Sequence, residues 1–178
     1  MRVLKLVSIL FLASILCVSC EKETDEKVVF YSKDQISNKL PVKVVDTEGS
    51  VVSVNSKTEI SLASSSFFEK NMVYLRDIDV SKMSFKIKDY NSTSSSLSNV
   101  KVFLDEIQIT EELGQNFLTA RNNNVDFEIS NTELLETIAH KLLQNRKVVI
   151  SYYSDAITQN QLDFDLVFSI TARGTFVD

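Results

Sequence analysis

Apolar and polar residues alternate with a period of two over much of this chain, which predicts strands. The clearest stretch runs from Leu162 to Ala172. Leu162, Phe164, Leu166, Phe168, Ile170 and Ala172 share one face, and Asp163, Asp165, Ser169 and Thr171 share the other. Alternation sustained this long predicts an antiparallel strand with one wet face. Val125–Ile129 and Met83–Lys88 repeat it on a smaller scale. Lys147–Tyr153 is apolar on both faces and predicts a more central strand. Val100–Leu104 continues through Ile107 and Ile109, with Asp105-Glu106 breaking the phase as a bulge or kink would. Shorter strands are predicted at Val28–Tyr31, Val42–Val45, Val51–Val54, Thr58–Leu62 and Met72–Leu75. Asp46-Thr-Glu-Gly49 reads as a turn whose glycine takes positive φ, and Pro41 as a strand start.

One segment has helical spacing instead. From Asn131 to Asn145, Leu134, Leu135, Ile138, Ala139 and Leu142 form one apolar stripe, and Ser130-Asn-Thr-Glu133 fits a capping box. Asn145 fits the C-terminal cap, with Lys141 and Arg146 at the negative end of the dipole. Nine or ten short strands and one helix predict a mainly β fold. The leading architecture is a two-layer antiparallel β-sandwich, the immunoglobulin-like order being one form it can take, with the helix near 131–145 packed on it. The alternative is a lipocalin-like barrel with one helix.

The first twenty residues obey neither period. Arg2 and Lys5 precede an apolar run from Leu6 to Leu16, and Ser19 stands directly before Cys20. The run is shorter than the roughly 20 residues a membrane-crossing helix needs, so it reads as a signal segment. The segment resembles the export signal of a bacterial lipoprotein, which implies cleavage before Cys20 and lipidation of that cysteine. Glu21–Lys27 is a charged tether. Its Lys22, Glu23, Asp25 and Glu26 resemble the export signal of surface lipoproteins of the Bacteroidota. The implied organisation is a removed signal over 1–19, a lipidated cysteine and tether over 20–27, and one β-rich domain over 28–178. The implied location is the outer membrane, with the cell surface favoured over the periplasmic face. Acyl chains contribute about 0.8 kcal/mol per buried CH₂, so an anchor of two or more chains is effectively permanent.

Composition narrows the chemistry. Loss of the two basic signal residues takes the net charge from −5 to −7, which argues against a nucleic-acid partner. Of the two cysteines, Cys17 leaves with the signal and Cys20 is acylated, so disulfides and thiol chemistry are excluded. His140 is the only histidine and lies opposite the apolar stripe of its helix, facing water. Ser-His-Asp, Cys-His and His-based metal sites therefore cannot be assembled. Asp77 with Asp79, and Asp163 with Asp165, are same-face acid pairs that suit calcium or acid–base work in principle. Alternating acids are more simply the wet face of a sheet. The three glycines, Gly49, Gly114 and Gly174, are dispersed and form no phosphate-cradling loop. The absence of tryptophan weakens a sugar-stacking platform, though Tyr74, Tyr90, Tyr152 and Tyr153 remain.

These readings converge on a membrane-anchored binding or structural module without catalysis, cofactor or metal. Its partner is a protein or a glycan, met through loops 91–98 and 113–124, with Phe117, Leu118, Asn122 and Asn123 as the contact residues. The alternative is a carrier or sensor of an apolar ligand, its cavity lined by some of the phenylalanines and covered by the helix.

Overall fold

The computed structural model describes residues 27–91, 95–109 and 126–178. Eight strands alternate inward and outward residues: β1 (Val29–Val44), β2 (Val52–Ser61), β3 (Leu75–Lys88), β4 (Ser96–Leu104), β5 (Ile107–Gln108), β6 (Phe127–Ile129), β7 (Lys147–Ile157) and β8 (Leu162–Val177). They form two four-stranded antiparallel sheets, ordered β1-β8-β3-β6 and β2-β7-β4-β5. The first is sheet A and the second sheet B. Among the described residues two α-helices join them, α1 (Ser66–Asn71) and α2 (Thr132–Asn145).

The predicted sandwich is thus present, and the lipocalin-like barrel is not, because the strands divide into two separate sheets. The immunoglobulin order is also replaced. That order would place strands 1, 2, 5 and 4 in one sheet and 3, 6 and 7 in the other. Here β1 pairs with β8, β2 with β7, β3 with β6 and β4 with β5. This nested pairing is an antiparallel ribbon wrapped onto itself, the jelly-roll arrangement. Successive strands alternate between the sheets until the β4–β5 hairpin reverses the ribbon.

The inner faces share one apolar core. Along β8 every even-numbered residue from Leu162 to Phe176 is buried. Leu40, Val42, Met83, Phe85, Val102, Leu104, Val148 and Ile150 meet them from the other strands. Burial of this apolar surface, at ~25 cal/mol per Å², is the main favourable term in folding. All nine phenylalanines in the described residues pack against another aromatic ring. Phe30, Phe67, Phe68 and Phe176 form one cluster, and Phe85, Phe127 and Phe168 another. Phe103 and Phe164 pack on tyrosines.

Several local expectations change for physical reasons. The strands expected at Val28–Tyr31 and Val42–Val45 are the ends of one 16-residue strand. Pro41 lies inside it, opposite Asp165. It is tolerated because β1 is an edge strand, and an edge has ladder positions that need no N–H donor. Residues 72–74 lead into β3 and are not a strand; the α1 helix before them is capped by Ser65, whose Oγ accepts from Phe68 N at 3.3 Å. Asp105-Glu106 is a tight turn, not a kink, and Asp105 takes a φ of 51°. Its carboxylate accepts from Val149 N at 3.0 Å while its own N–H donates to Val149 O at 2.6 Å, extending the β4–β7 ladder by one side chain.

The α2 helix begins one residue later than expected. Asn131 is the cap, its side chain accepting from Leu134 N at 3.0 Å. The helix ends with Arg146 in the left-handed region at φ 63°, not on Asn145, and Arg146 N donates to Leu142 O. Lys141 pairs with Asp105 at 3.3 Å instead of serving the helix terminus. The helix lies beside β3, where β6 pairs only with Met83–Phe85. It therefore covers a stretch of strand edge that would otherwise be open.

Candidate functional site

The outer face of sheet B carries the site. Its central strand β7 is bonded to β2 on one side and β4 on the other. The register sets the outward side chains in rows. Asn55, Tyr153 and Lys101 form one row; Lys57, Ser151 and Phe103 form the next. Ser53 and Asp155 lie beyond the first row, and Glu59 and Val149 beyond the second.

Size differences within these rows shape the surface. Ser151 is small and buried, and larger side chains surround it. The result is a depression of about 510 Å³ lined by Lys57, Lys101, Phe103, Asp105, Glu106 and Tyr153 around Ser151. A second depression of about 460 Å³ adjoins it and shares Lys101 and Tyr153. Tyr153 stands between the two, 40% exposed, with its ring edge-to-face on Phe103 at 5.7 Å. An aromatic so exposed on a central strand is unusual beside Tyr152, its neighbour in sequence, which points inward and is fully buried.

The carboxylates around the platform are already engaged. Asp155 accepts from Asn99 Nδ2 at 2.6 Å and from Ser53 Oγ at 3.2 Å. Asn99 reaches it from a β4 irregularity between Ser98 and Lys101, where its φ is 51°. Asp105 is held by Val149 N and Lys141, and Glu59 by Lys147 at 2.9 Å. Lys57 and Lys101 have no carboxylate within 4.0 Å among the described residues.

The sequence pointed elsewhere for contacts. Phe117, Leu118, Asn122 and Asn123 lie outside the described residues, as do Cys20, Lys22, Glu23, Asp25 and Glu26. The loop expected over 91–98 is shorter, because Ser96–Ser98 belong to β4 and Leu97 is buried. Of the four tyrosines set aside for a platform, only Tyr153 serves. Tyr152 is in the core, Tyr74 is partly buried, and Tyr90 packs on Phe164 with its hydroxyl 2.7 Å from Ser95 Oγ. The available signal was Ser151 and Tyr153 on the outward face of the strand read as apolar on both faces.

The acid pairs are a wet face. Asp79 lies 3.4 Å from Arg173, and Asp165 lies 2.9 Å from Lys39. The hydrogen bond and charge of Asp165 hold the Lys39 ammonium above the usual lysine range. Asp163 accepts from Gln161 Nε2 at 2.7 Å. Among the described residues no group of three or more His, Cys, Asp or Glu side chains is placed to hold a metal ion. His140 is exposed at a groove of about 490 Å³ between α2 and residues 77–81 of β3. The groove floor includes Ile78, Val80 and Ala139, the seam where the helix meets the sheet. No helix among the described residues is long and apolar enough to cross a membrane.

No family model matches the chain, and no curated protein matches it. Among solved structures it is similar to one described as the decameric BFDV capsid protein. The identity is 9% over 82% of this chain and 99% of that one, with a TM-score of 0.45.

Proposed function

We propose that this chain is a lipid-anchored binding module of a bacterial cell envelope, without catalysis of its own. It is held at the outer membrane by Cys20, displayed on the cell surface, and engages its partner through the outer face of sheet B. The carrying observation is the half-exposed Tyr153 ring beside Phe103 over the buried Ser151, on a sheet whose backbone is paired on both sides. Rigid aromatic surface framed by polar side chains suits recognition more than chemistry. The anchor and display rest on Arg2, Lys5, the apolar run, Cys20 and the Lys22-Glu23 tether.

Two experiments test the two halves. In cell fractionation, Cys20→Ala should move the chain from the membrane to the soluble fraction. Protease added to intact cells should degrade the wild type and spare Lys22→Ala/Glu23→Ala. A wild type that resists protease on intact cells places the domain on the periplasmic side instead. For the surface, a captured partner should be lost from Tyr153→Ala and retained by Phe117→Ala/Leu118→Ala. The reverse result would move the contact from the sheet face to the 113–124 segment.

A further inference from the structure

We infer that the Tyr153 platform takes an acidic saccharide, with a sugar ring stacked on Tyr153 beside Phe103 and its carboxylate held by Lys57 and Lys101. This rests on the reading of sheet B as the binding surface, and it names the ligand class.

Charge comes first. Lys57 and Lys101 line the same depression from opposite sides of β7, two strand spacings and one two-residue step apart, or about 12 Å at the backbone. Ser151 lies in the row of Lys57 and Tyr153 in the row of Lys101, and flexible lysine stems from both sides can reach over the small Ser151. Neither ammonium has an ion-pair partner among the described residues, whereas Asp105, Asp155 and Glu59 are each engaged. Glu106 sits at the exposed turn and sets a negative rim on one side only. The lining holds two lysines and two carboxylates, and with Asp105 neutralised by Lys141 the two lysines outweigh Glu106 by one charge, a local excess on a chain of net charge −5.

Shape favours a sugar over a peptide. Because β7 is hydrogen-bonded on both sides here, the platform offers no backbone ladder to an extended chain. Recognition falls to side chains. The two rings stand nearly perpendicular, at 85°, so the exposed Tyr153 gives the apolar face for the C–H side of a pyranose and Phe103 an apolar wall beside it. Asn55 and Ser53, in the adjoining depression, place amide and hydroxyl groups where sugar hydroxyls need partners.

Calorimetry on the full chain in detergent, with oligogalacturonate and its methyl ester as probes, separates the possibilities. The ester keeps the ring and removes the charge. Charge-assisted hydrogen bonds are lost with the carboxylate, so the acid should bind at least about tenfold more tightly than the ester. Lys57→Gln/Lys101→Gln should bring the acid to the ester's affinity, and Tyr153→Ala should remove binding of both. These are surface substitutions, and an unchanged melting temperature verifies the fold. Equal binding of acid and ester, with the lysine variant unaffected, overturns the acidic ligand but leaves the platform standing if Tyr153→Ala still abolishes binding. Binding of neither probe overturns the saccharide; a poly-glutamate peptide that binds wild type and not Tyr153→Ala then assigns the same platform to acidic peptides. Retention of a captured partner by Tyr153→Ala overturns the platform itself.

Discussion

Tyr152 and Tyr153 are identical side chains on adjacent residues, and the pleat alone gives them different work. Tyr153 faces out and forms the platform; Tyr152 faces in and is fully buried. Burial pushes the Tyr152 hydroxyl up to about 12. An unfolded tyrosine titrates near 10, so the folded state favours the neutral form. That contribution is fully present below pH 10 and is lost as the pH rises toward 12. Between pH 9 and 12 the wild type should lose roughly 2–3 kcal/mol more stability than Tyr152→Phe, at 1.36 kcal/mol per unit. Urea unfolding of both proteins across that range measures it, and parallel curves would refute it. Gly174 is a second case decided by one position. A Cβ there would lie 2.7 Å from the Phe176 ring and 2.8 Å from the Phe68 ring, both fully buried. Neither ring can yield without disturbing the cluster, so Gly174→Ala should destabilise by about 1–3 kcal/mol through overpacking. A thermal melt indistinguishable from wild type would contradict this.

Among the elements, α2 is set by local chemistry at its ends and by tertiary contacts along its side. Asn131 satisfies one of the free N–H groups of the first turn. Asn131→Ala should cost about 1 kcal/mol in denaturant unfolding, while Ser130→Ala should cost markedly less, since the cap is Asn131. Equal losses would restore the earlier cap. The buried face of Leu134, Ile138, Ala139 and Leu142 is the stripe that the sequence shows. That it packs beside β3 was not legible, because the stripe fixes which side is buried and not which strand meets it. The same holds for β7. Its central place was readable from Val148, Val149 and Ile150, but the identity of its neighbours was not.

At the scale of the whole molecule, the jelly roll brings the two ends of the described domain together. Val29 pairs with Val177, and Asp178 N donates to Val28 O. Val177 N donates to Tyr74 O, which adds the β2–β3 connection to the same knot. Phe176 sits at its centre, touching Phe30, Phe67 and Phe68. Phe176→Ala should cost about 3–5 kcal/mol in equilibrium unfolding, the range of a buried aromatic deletion. Pairing the first strand with the last makes most contacts distant in sequence, so refolding after a denaturant jump should take milliseconds to seconds. Recovery in microseconds would mean that the end-to-end pairing is not the slow step.

The sequence alone determined which residues are buried and which are wet, because strand alternation and the helical stripe depend only on neighbours a few positions away. It marked the longer helix at 132–145 but not the short one at 66–71, and it marked the central character of 147–153, the solvated acid pairs and the exposed His140. It also marked the resemblance to a lipoprotein signal, whose features lie in consecutive residues. Only the tertiary structure decided the pairing order, the split into two sheets and the place of Pro41 on an edge. It alone assembled the candidate site, since Lys57, Lys101, Phe103 and Tyr153 come from three strands. Their adjacency is a matter of register between segments up to about a hundred residues apart, and no short-range pattern carries that information.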